Sequence, residues 1–290
     1  MARLCIHHET LYAYERPVRF APHRLLVRPR DSHAIRIVEA SLTLPPGKTR
    51  WQYDALGNSI CWFEPTNEST SLSIVSDLVI ERFPAPLAPM RIRRPQTATP
   101  IVYETSDRHV VAPFMEPLTD DPEGELLDWV RSRIGRPDEP VLDFVRRLNT
   151  SIRDDFVYQR RHVGPPQDPA ETVRCGSGTC RDFAWLMVES LRRLGYAARF
   201  VTGYLYSPRT EIRGAGATHA WCEVFLPDYG WTEFDPTNAL VESADLIPVA
   251  VTRTTEEAAP VTGGIFGNAG RSTLTVHVDV RSLESLPAAA

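Results

Sequence analysis

Residues 175–185 read Cys-Gly-Ser-Gly-Thr-Cys-Arg-Asp-Phe-Ala-Trp, and this stretch decides how the second half of the chain is expected to fold. Two glycines precede a helical pattern that begins near Thr179, and Asp182 stands three positions after that threonine. A threonine and an acid at this spacing can each accept a hydrogen bond from the backbone N–H of the other. The spacing predicts a helix over residues 179–194 that places Cys180 in its first turn.

The predicted position of Cys180 favours the thiolate form of its side chain. Unpaired N–H groups and the positive end of the helix dipole meet at a helix N-terminus, and both stabilise a negative charge. The same N–H groups, including that of Cys180, can receive the oxyanion of a tetrahedral intermediate. Gly176 and Gly178 are expected to leave room for a substrate backbone. Cys180 is therefore the candidate nucleophile, and Gly178 is a candidate contact for the oxyanion or the substrate.

Two later segments supply the partners that a thiolate nucleophile needs, which are a base and a group that orients the base. His219 opens a predicted strand over residues 219–226, and Asp235 ends another over residues 231–235, with Pro-Asp-Tyr-Gly between them as a hairpin turn. A four-residue loop would place Asp235 opposite Cys222, about 10 Å along the strand from His219. On this register, contact between His219 and Asp235 requires a bulge, a strand twist or a longer loop.

These blocks resemble the catalytic core of the transglutaminase-like superfamily, the papain-like cysteine enzymes of bacteria that carry a β-rich N-terminal domain. The matching residues, in chain order, are Gly178, Cys180, Asp182, Ala184, Gly195, Ala198, Arg199, Gly203, Tyr204, His219, Ala220, Trp221, Glu223, Gly230, Trp231, Asp235, Pro236 and Thr237. The resemblance implies that Cys180 is the nucleophile and His219 the general base and acid. It implies that Asp235 orients His219.

The resemblance covers most of the chain. Residues 6–14 and 27–30 look like the β-domain that precedes this core in bacterial members. A departure occurs at residues 246–253, where Leu-Ile-Pro-Val-Ala-Val-Thr-Arg replaces a stretch that usually begins with His and continues Gly-Arg-Asp-Tyr. The substrate-side role of that segment in the family does not carry over to this sequence by resemblance.

The first 83 residues predict an antiparallel β-sandwich of six or more strands. Short segments rich in β-branched and aromatic residues alternate with turn formers such as Pro-Pro-Gly and Leu-Gly-Asn. The expected strands cover residues 10–14, 25–27, 35–44, 59–63 and 72–80. The proline-rich stretch from Phe83 to Pro122 suits an irregular linker better than a helix.

After Pro122 the apolar residues recur at helical spacing. They predict two amphipathic helices, one around residues 126–134 and one over residues 141–152. Further strands are expected at residues 197–206 and 272–280, and a loop over residues 250–270. The predicted fold class is α+β, with an N-terminal antiparallel β-sandwich and linker (residues 1–115) and a papain-like, transglutaminase-like α+β core with a C-terminal strand (residues 116–290).

Composition excludes several classes of protein. A net charge of -5 and a pI near 5.9 argue against nucleic acid as a partner, because affinity for it comes mostly from neutralised phosphates. No apolar run approaches the roughly 20 residues that span a bilayer, so no membrane association is expected. Five cysteines without Cys-x₂-Cys spacing, after an N-terminus that lacks the features of a signal peptide, predict a cytoplasmic protein.

Several other residues have alternative interpretations. A zinc site made of Cys175, Cys180, His219 and Cys222 is disfavoured, because Cys222 lies three residues from His219 on a strand and so on its opposite face. Cys175 is a weak candidate for a redox partner of Cys180. We expect no metal and no cofactor.

Tyr158 and Trp221 complete the candidate site. Tyr158 could donate to the oxyanion or line the cleft, and Trp221 is the best candidate for a cleft wall because it shares a strand face with His219. Glu223 lies on the same face and could pair with an arginine. Arg160 and Arg161 are expected on a solvated face.

The sequence predicts a cysteine-dependent amide-bond enzyme. Its substrate would be a peptide or protein amide, hydrolysed or transferred through a thioester on Cys180. The alternative is a binding or scaffold protein that uses the same fold without turnover. Nothing in the sequence indicates an oligomeric state.

Overall fold

The N-terminal part of the chain consists of antiparallel strands. The computed structural model describes residues 2–83, 97, 100–136, 138–161, 164–206, 212–214 and 216–283. Its first six strands are β1 (Ala2–Phe20), β2 (His23–Leu25), β3 (Ile35–Thr43), β4 (Gly47–Tyr53), β5 (Ser59–Pro65) and β6 (Ser69–Arg82). Each predicted strand overlaps one of these. The unpredicted strand β4 is exposed along its whole length, so it lacks the alternation of buried and exposed residues that marks a strand.

After residue 100 the chain forms mostly helices up to residue 193, and strands follow. The elements are α1 (Thr105–Val111), α2 (Glu125–Arg131), α3 (Val141–Asp155), β7 (Val157–Tyr158), α4 (Pro169–Cys175), β8 (Ser177–Gly178), α5 (Cys180–Arg193), β9 (Ala198–Leu205), β10 (His219–Leu226), β11 (Gly230–Asp235), β12 (Leu240–Val241), β13 (Leu246–Thr252), β14 (Val261–Thr262), β15 (Ile265–Phe266) and β16 (Ser272–Ser282). The three predicted helices correspond to α2, α3 and α5.

Two expectations about irregular chain are wrong. The predicted linker contains α1 and a 3₁₀ turn at Ala112–Phe114. Pro113 is tolerated in this turn because the N–H groups of a first helical turn have no partner within the helix, so the missing N–H of proline costs no hydrogen bond. Residues 84–96 of that linker lie outside the described part of the chain. The predicted loop over residues 250–270 contains the end of β13 as well as β14 and β15.

Two sheets form the expected antiparallel sandwich. The larger sheet has the order β15-β1-β6-β3, with β16 also paired to β1, and the smaller one has the order β14-β2-β5-β4. Apolar side chains from both sheets, including Phe20, Phe63 and Ile74, share one buried cluster.

The predicted C-terminal strand is present, but it belongs to the sandwich. β16 pairs with β1 from Tyr14↔Ser272 to Leu4↔Ser282, and β14 and β15 add to the two N-terminal sheets. Long-range pairing is not encoded in the local alternation of residues 272–280, which predicts a strand but not its neighbour. The chain therefore crosses the α+β core and returns to the unit in which it began.

The core is an antiparallel sheet with the order β12-β11-β10-β9-β13, and α5 packs against β10 and β9. Most of α5 is buried, including Phe183, Leu186 and Met187. Strand β13 lies at the edge of this sheet, and its Ile247 and Val249 pack in one cluster with Leu4 and Ile6 of β1. The divergent residues 246–252 therefore join the core to the sandwich. Among the described helices, none combines the length and the apolar composition that crossing a bilayer requires.

Candidate active site

A cleft of about 530 Å³ lies where the core meets the larger sheet of the sandwich. The core contributes Cys180 and His219, and β1 and β16 contribute Tyr12 and Leu274. Both predicted reacting groups therefore open into the same cavity.

Cys180 is the first residue of α5, and its position depends on a capping box at Thr179. The Thr179 hydroxyl accepts from the N–H of Asp182, and the Asp182 carboxylate accepts from the N–H of Thr179 at 2.7 Å. This is the predicted arrangement. It leaves Cys180, a residue that is 8% exposed, at the positive end of the helix dipole and at the surface of the cleft.

Asp182 also holds the segment that follows Tyr158. Its Oδ1 accepts hydrogen bonds from the Arg161 guanidinium at 2.8 Å and from the N–H of Gln167 at 2.7 Å. Arg160 and Arg161 both line the cleft. Arg160 is exposed, as expected for a solvated face, whereas Arg161 is half-buried in its ion pair with Asp182. The local sequence does not show this, because Arg161 and Asp182 are 21 positions apart.

His219 and Asp235 are in direct contact through Nε2 and Oδ2 at 2.9 Å, and both side chains are fully buried. The hairpin pairs Leu226 with Gly230 and Cys222 with Phe234. The expected register is therefore wrong by one residue, because the loop is one residue shorter than predicted. If the same pairing continues by one residue, Asp235 lies opposite Trp221 and therefore on the strand face that also carries His219. Asp235 and His219 are then diagonal neighbours on adjacent strands, and side chains can make contact across that spacing. No bulge is needed.

The buried pair sets the charges at the site. Burial disfavours the imidazolium of His219, but the Asp235 charge and hydrogen bond, together with Cys180, raise the pKa of His219 to about 10. Burial likewise opposes ionisation of Asp235, and the contacts with His219 and Asn238 outweigh it and lower the pKa of Asp235. His219 is therefore held as an imidazolium near neutral pH.

The two ring nitrogens of His219 have different surroundings. Among the described residues, no atom forms a hydrogen bond with Nδ1, while Nε2 is occupied by Asp235. Gly214 lies close to Nδ1, and a Cβ at that position would lie 2.7 Å from this nitrogen. Cys180, at the surface of the cleft, and the buried His219–Asp235 pair thus meet at one site.

Sequence reasoning missed Asn238. Its Nδ2 donates to Asp235 Oδ2 at 2.8 Å and to the Arg213 carbonyl at 3.1 Å, and its Oδ1 accepts from the Arg213 N–H at 2.9 Å. Asn238 therefore joins Asp235 to the segment that carries Gly214. The available signal was a polar side chain three positions after the acid at the end of a strand.

Trp221 is not a wall of the cleft. It is fully buried, its ring stacks on His219 with centroids 6.0 Å apart, and its Nε1 donates to Glu233 Oε1 at 3.2 Å. Trp221 lies on the same strand face as His219, as predicted. Core residues cover that face at Trp221, so its side chain does not reach the cleft. Trp221 therefore packs on the imidazole and is not among the residues that line the cleft.

Tyr158 and Gly178 occupy different surroundings although β7 and β8 pair them. Tyr158 lines the cleft, and burial, with the nearby Cys180 as a further cause, raises its pKa to about 12. Gly178 instead packs on the helix, since a Cβ there would lie 2.8 Å from the Cβ of Asp182. Gly178 therefore allows the loop to approach α5 and does not line the cleft.

The remaining cysteines lie apart from this arrangement. Cys222 is fully buried on the opposite face of β10, and Cys175 is exposed at the end of α4. Within the residues that the structure describes, no group of three or more His, Cys, Asp or Glu is placed to hold a metal ion. Glu223 forms the predicted ion pair with an arginine, Arg199, at 2.5 Å.

Comparison with known proteins matches two parts of the chain to family models. Residues 128–236 match the family model of the transglutaminase-like superfamily, and residues 4–81 match that of the bacterial transglutaminase-like N-terminal region. An uncharacterized protein of Mycobacterium tuberculosis is 29% identical over 304 residues, which cover 97% of this chain and 93% of that protein.

A further relative and one solved structure carry descriptive names. A protein-glutamine gamma-glutamyltransferase of Pseudomonas aeruginosa is 31% identical over 125 residues, which cover 39% of this chain and 17% of that protein. The crystal structure of a candidate cysteine protease from Cytophaga hutchinsonii superposes with a TM-score of 0.75 at 22% identity, covering 97% of this chain and 91% of that one. The latter has the same fold.

Proposed function

Since this chain combines a transglutaminase-like core with a bacterial transglutaminase-like N-terminal region, we propose that it is a cysteine-dependent amide-bond enzyme. The observation that carries the proposal is the buried contact of 2.9 Å between His219 and Asp235 beside Cys180 at a helix N-terminus. A thiolate, a charged imidazole and an orienting carboxylate are the groups that acyl transfer through a thioester needs.

The first half of the reaction forms a thioester. The Cys180 thiolate attacks the amide carbonyl carbon, and the oxyanion accepts a hydrogen bond from the backbone N–H of Cys180. His219, protonated near neutral pH, gives its proton to the nitrogen as the C–N bond breaks and the amine leaves.

The second half regenerates the thiolate. Water or a second amine attacks the thioester carbon and gives a proton to His219, and the C–S bond breaks. Water as acceptor makes the enzyme a protease or amidase, and an amine makes it an acyltransferase. The substrate is a peptide or protein amide, and the name of the Pseudomonas relative makes a glutamine carboxamide the first to test. The cytoplasmic location stays a prediction.

A glutamine peptide, incubated with and without a labelled primary amine, tests the proposal. Ammonia release without label incorporation indicates hydrolysis, and incorporated label indicates transfer. Cleavage of the peptide backbone, followed by mass spectrometry, detects a protease. Each product must be absent with the Cys180→Ala variant for the assignment to hold.

Alkylation separates an enzyme from a scaffold without knowledge of the substrate. Iodoacetamide at about pH 6 should modify Cys180 much faster than it modifies glutathione, because only the thiolate reacts. Peptide mapping identifies the modified residue, and Cys175 is an internal exposed control. Equal rates for Cys180 and glutathione would favour the scaffold alternative.

A further inference from the structure

Strand β16 forms an unpaired edge of the larger sheet at the mouth of the cleft. It pairs with β1 on one side, and within the described residues no strand pairs with its other side. Leu274 is 48% exposed and Val276 is 38% exposed, and both line the cleft that contains Cys180. Exposed apolar residues on a free strand edge are a binding surface for another extended chain.

The backbone of β16 shows which groups face that edge. The N–H of Val278 donates to the Gly216 carbonyl at 3.3 Å, on the side away from β1. Because N–H and C=O groups alternate between the two sides of a strand, those of Val276 and Leu274 also point away from β1. In the described part of the chain, no backbone group forms a hydrogen bond with the outward N–H and C=O groups of Val276 and Leu274.

The side chains at this edge line the same cleft as Cys180 and His219. Leu274 and Val276 stand opposite Tyr12 and Thr10 of β1, and all four line the cleft. A chain added along β16 would therefore project every second side chain into the same cavity.

We propose that the edge of β16 at Leu274 and Val276 binds an extended segment of the peptide substrate by strand addition. The inference deepens the proposed function and rests on it. The bond between Val278 and Gly216 already pairs this edge with the segment that leads to His219, so an added chain would continue that pairing toward the cleft.

The size of the cleft favours an extended peptide segment, rather than a second copy of the protein, as the ligand of this edge. The edge opens into a cleft of about 530 Å³ that is bounded by the sandwich and the core. This volume accommodates a short extended chain, whereas a second copy would bring a whole folded sheet behind its own β16. A substrate with an unfolded segment therefore fits the edge better than a folded partner.

Hydrogen exchange on the Cys180→Ala protein tests the proposal without turnover. The probe is a fluorescein-labelled nonapeptide with alternating valine and threonine on both sides of a central glutamine. At saturation, the amides of Leu274 and Val276 should gain protection. The amide of Thr275 faces β1 and should be protected with or without peptide, which makes it the internal control.

A matched pair of variants in the same background measures the backbone contribution. Val276→Ala and Val276→Pro both remove the isopropyl group, but only proline removes the outward N–H, and this N–H is not part of the ladder with β1. Fluorescence anisotropy should show binding about tenfold weaker for Val276→Pro than for Val276→Ala. Thermal unfolding of both variants shows whether each is folded.

Binding without added protection at Leu274 and Val276, or no binding of the probe, would overturn the proposal. So would size-exclusion evidence for a dimer that protects these amides in the absence of peptide, because the edge would then bind a second copy. Failure of the proposed function leaves a different pattern, in which the peptide protects the edge but the wild-type protein neither turns it over nor alkylates rapidly at Cys180.

Discussion

Arg161 and Asp182 form an ion pair at 2.8 Å that joins the segment after Tyr158 to the first turn of the helix that carries Cys180. The Asp182 side chain is fully buried, while about a third of the Arg161 side chain is exposed. One carboxylate thus caps the helix, binds the Gln167 backbone and holds one wall of the cleft.

Replacement of Asp182 by alanine should destabilise the protein by about 2–4 kcal/mol, because it removes a helix cap and one partner of a largely buried ion pair. Urea unfolding measures the loss. Asp154→Ala is the matched control, since Asp154 pairs with Arg153 at an exposed position, and its unfolding midpoint should not move. A similar midpoint for both variants would contradict the role given to Asp182.

The three residues of the proposed catalytic site should differ in how much their replacement lowers the activity. Cys180→Ala and His219→Ala should abolish turnover, because neither the nucleophile nor the proton carrier can be replaced. Asp235→Asn keeps the shape of the side chain but removes its charge, and it should lower kcat about 10²–10⁴-fold. Steady-state kinetics on the peptide identified by the product assay measures these losses. Wild-type activity in Asp235→Asn would exclude Asp235 from catalysis.

Stability should fall as the pH rises above neutrality. The pKa of His219 is about 10 in the folded protein against an ordinary value of 6.5. Its charged form therefore contributes stability that is fully present below about pH 6.5 and is lost as the pH rises through about 10. The free energy of unfolding should fall more steeply in the wild type than in His219→Gln, which shares all buried cysteines and tyrosines. Parallel curves would contradict the prediction.

Asn238→Ala should lower kcat about tenfold and leave KM nearly unchanged, because Asn238 positions Asp235 and does not line the cleft. The variant also loses both bonds to Arg213. The rate of Cys180 alkylation against pH gives a second readout, and its profile should shift because Asp235 loses a donor. If neither kcat nor the pH profile of Cys180 alkylation changes, Asn238 has only a structural role.

Gly214→Ala should reduce activity more than it reduces stability. The glycine has φ +93°, and a Cβ there would lie 2.7 Å from His219 Nδ1, so alanine is strained and obstructs the nitrogen that the proposed mechanism assigns to proton transfer. Kinetics and thermal unfolding together check the prediction. Gly216→Ala is the matched control, because it has a similar φ of +85° with no atom within 4 Å of the added carbon.

The sequence predicts the residues of the site better than their arrangement. Cys180 could be located because Thr179 and Asp182 form a local capping signal, which the structure confirms. The hairpin register was wrong because it depends on one residue of the turn. Gly230 adopts φ +75° and pairs with Leu226, which shortens the loop, and composition alone does not show this.

Contacts between distant parts of the chain could not be predicted from local patterns. The burial of Trp221, the partner of Arg161 and the pairing of β16 each depend on a segment far away in sequence. Periodicity shows that a face is apolar or that a segment is extended, but not which segment covers it. The extended strand at 272–280 was therefore expected, and its place beside β1 was not.

The pairing of β1 with β16 also sets an order for folding during synthesis. The ribosome synthesises β1 before the core and β16 after it. The edge of β1 that pairs with β16 therefore stays unpaired until almost the entire chain has been made. Pairing across such a separation is slow, because a long loop must close first. Until then this edge exposes a row of unpaired backbone groups to other nascent chains. A ribosome that stalls before residue 272 would hold a sandwich whose first strand is still open.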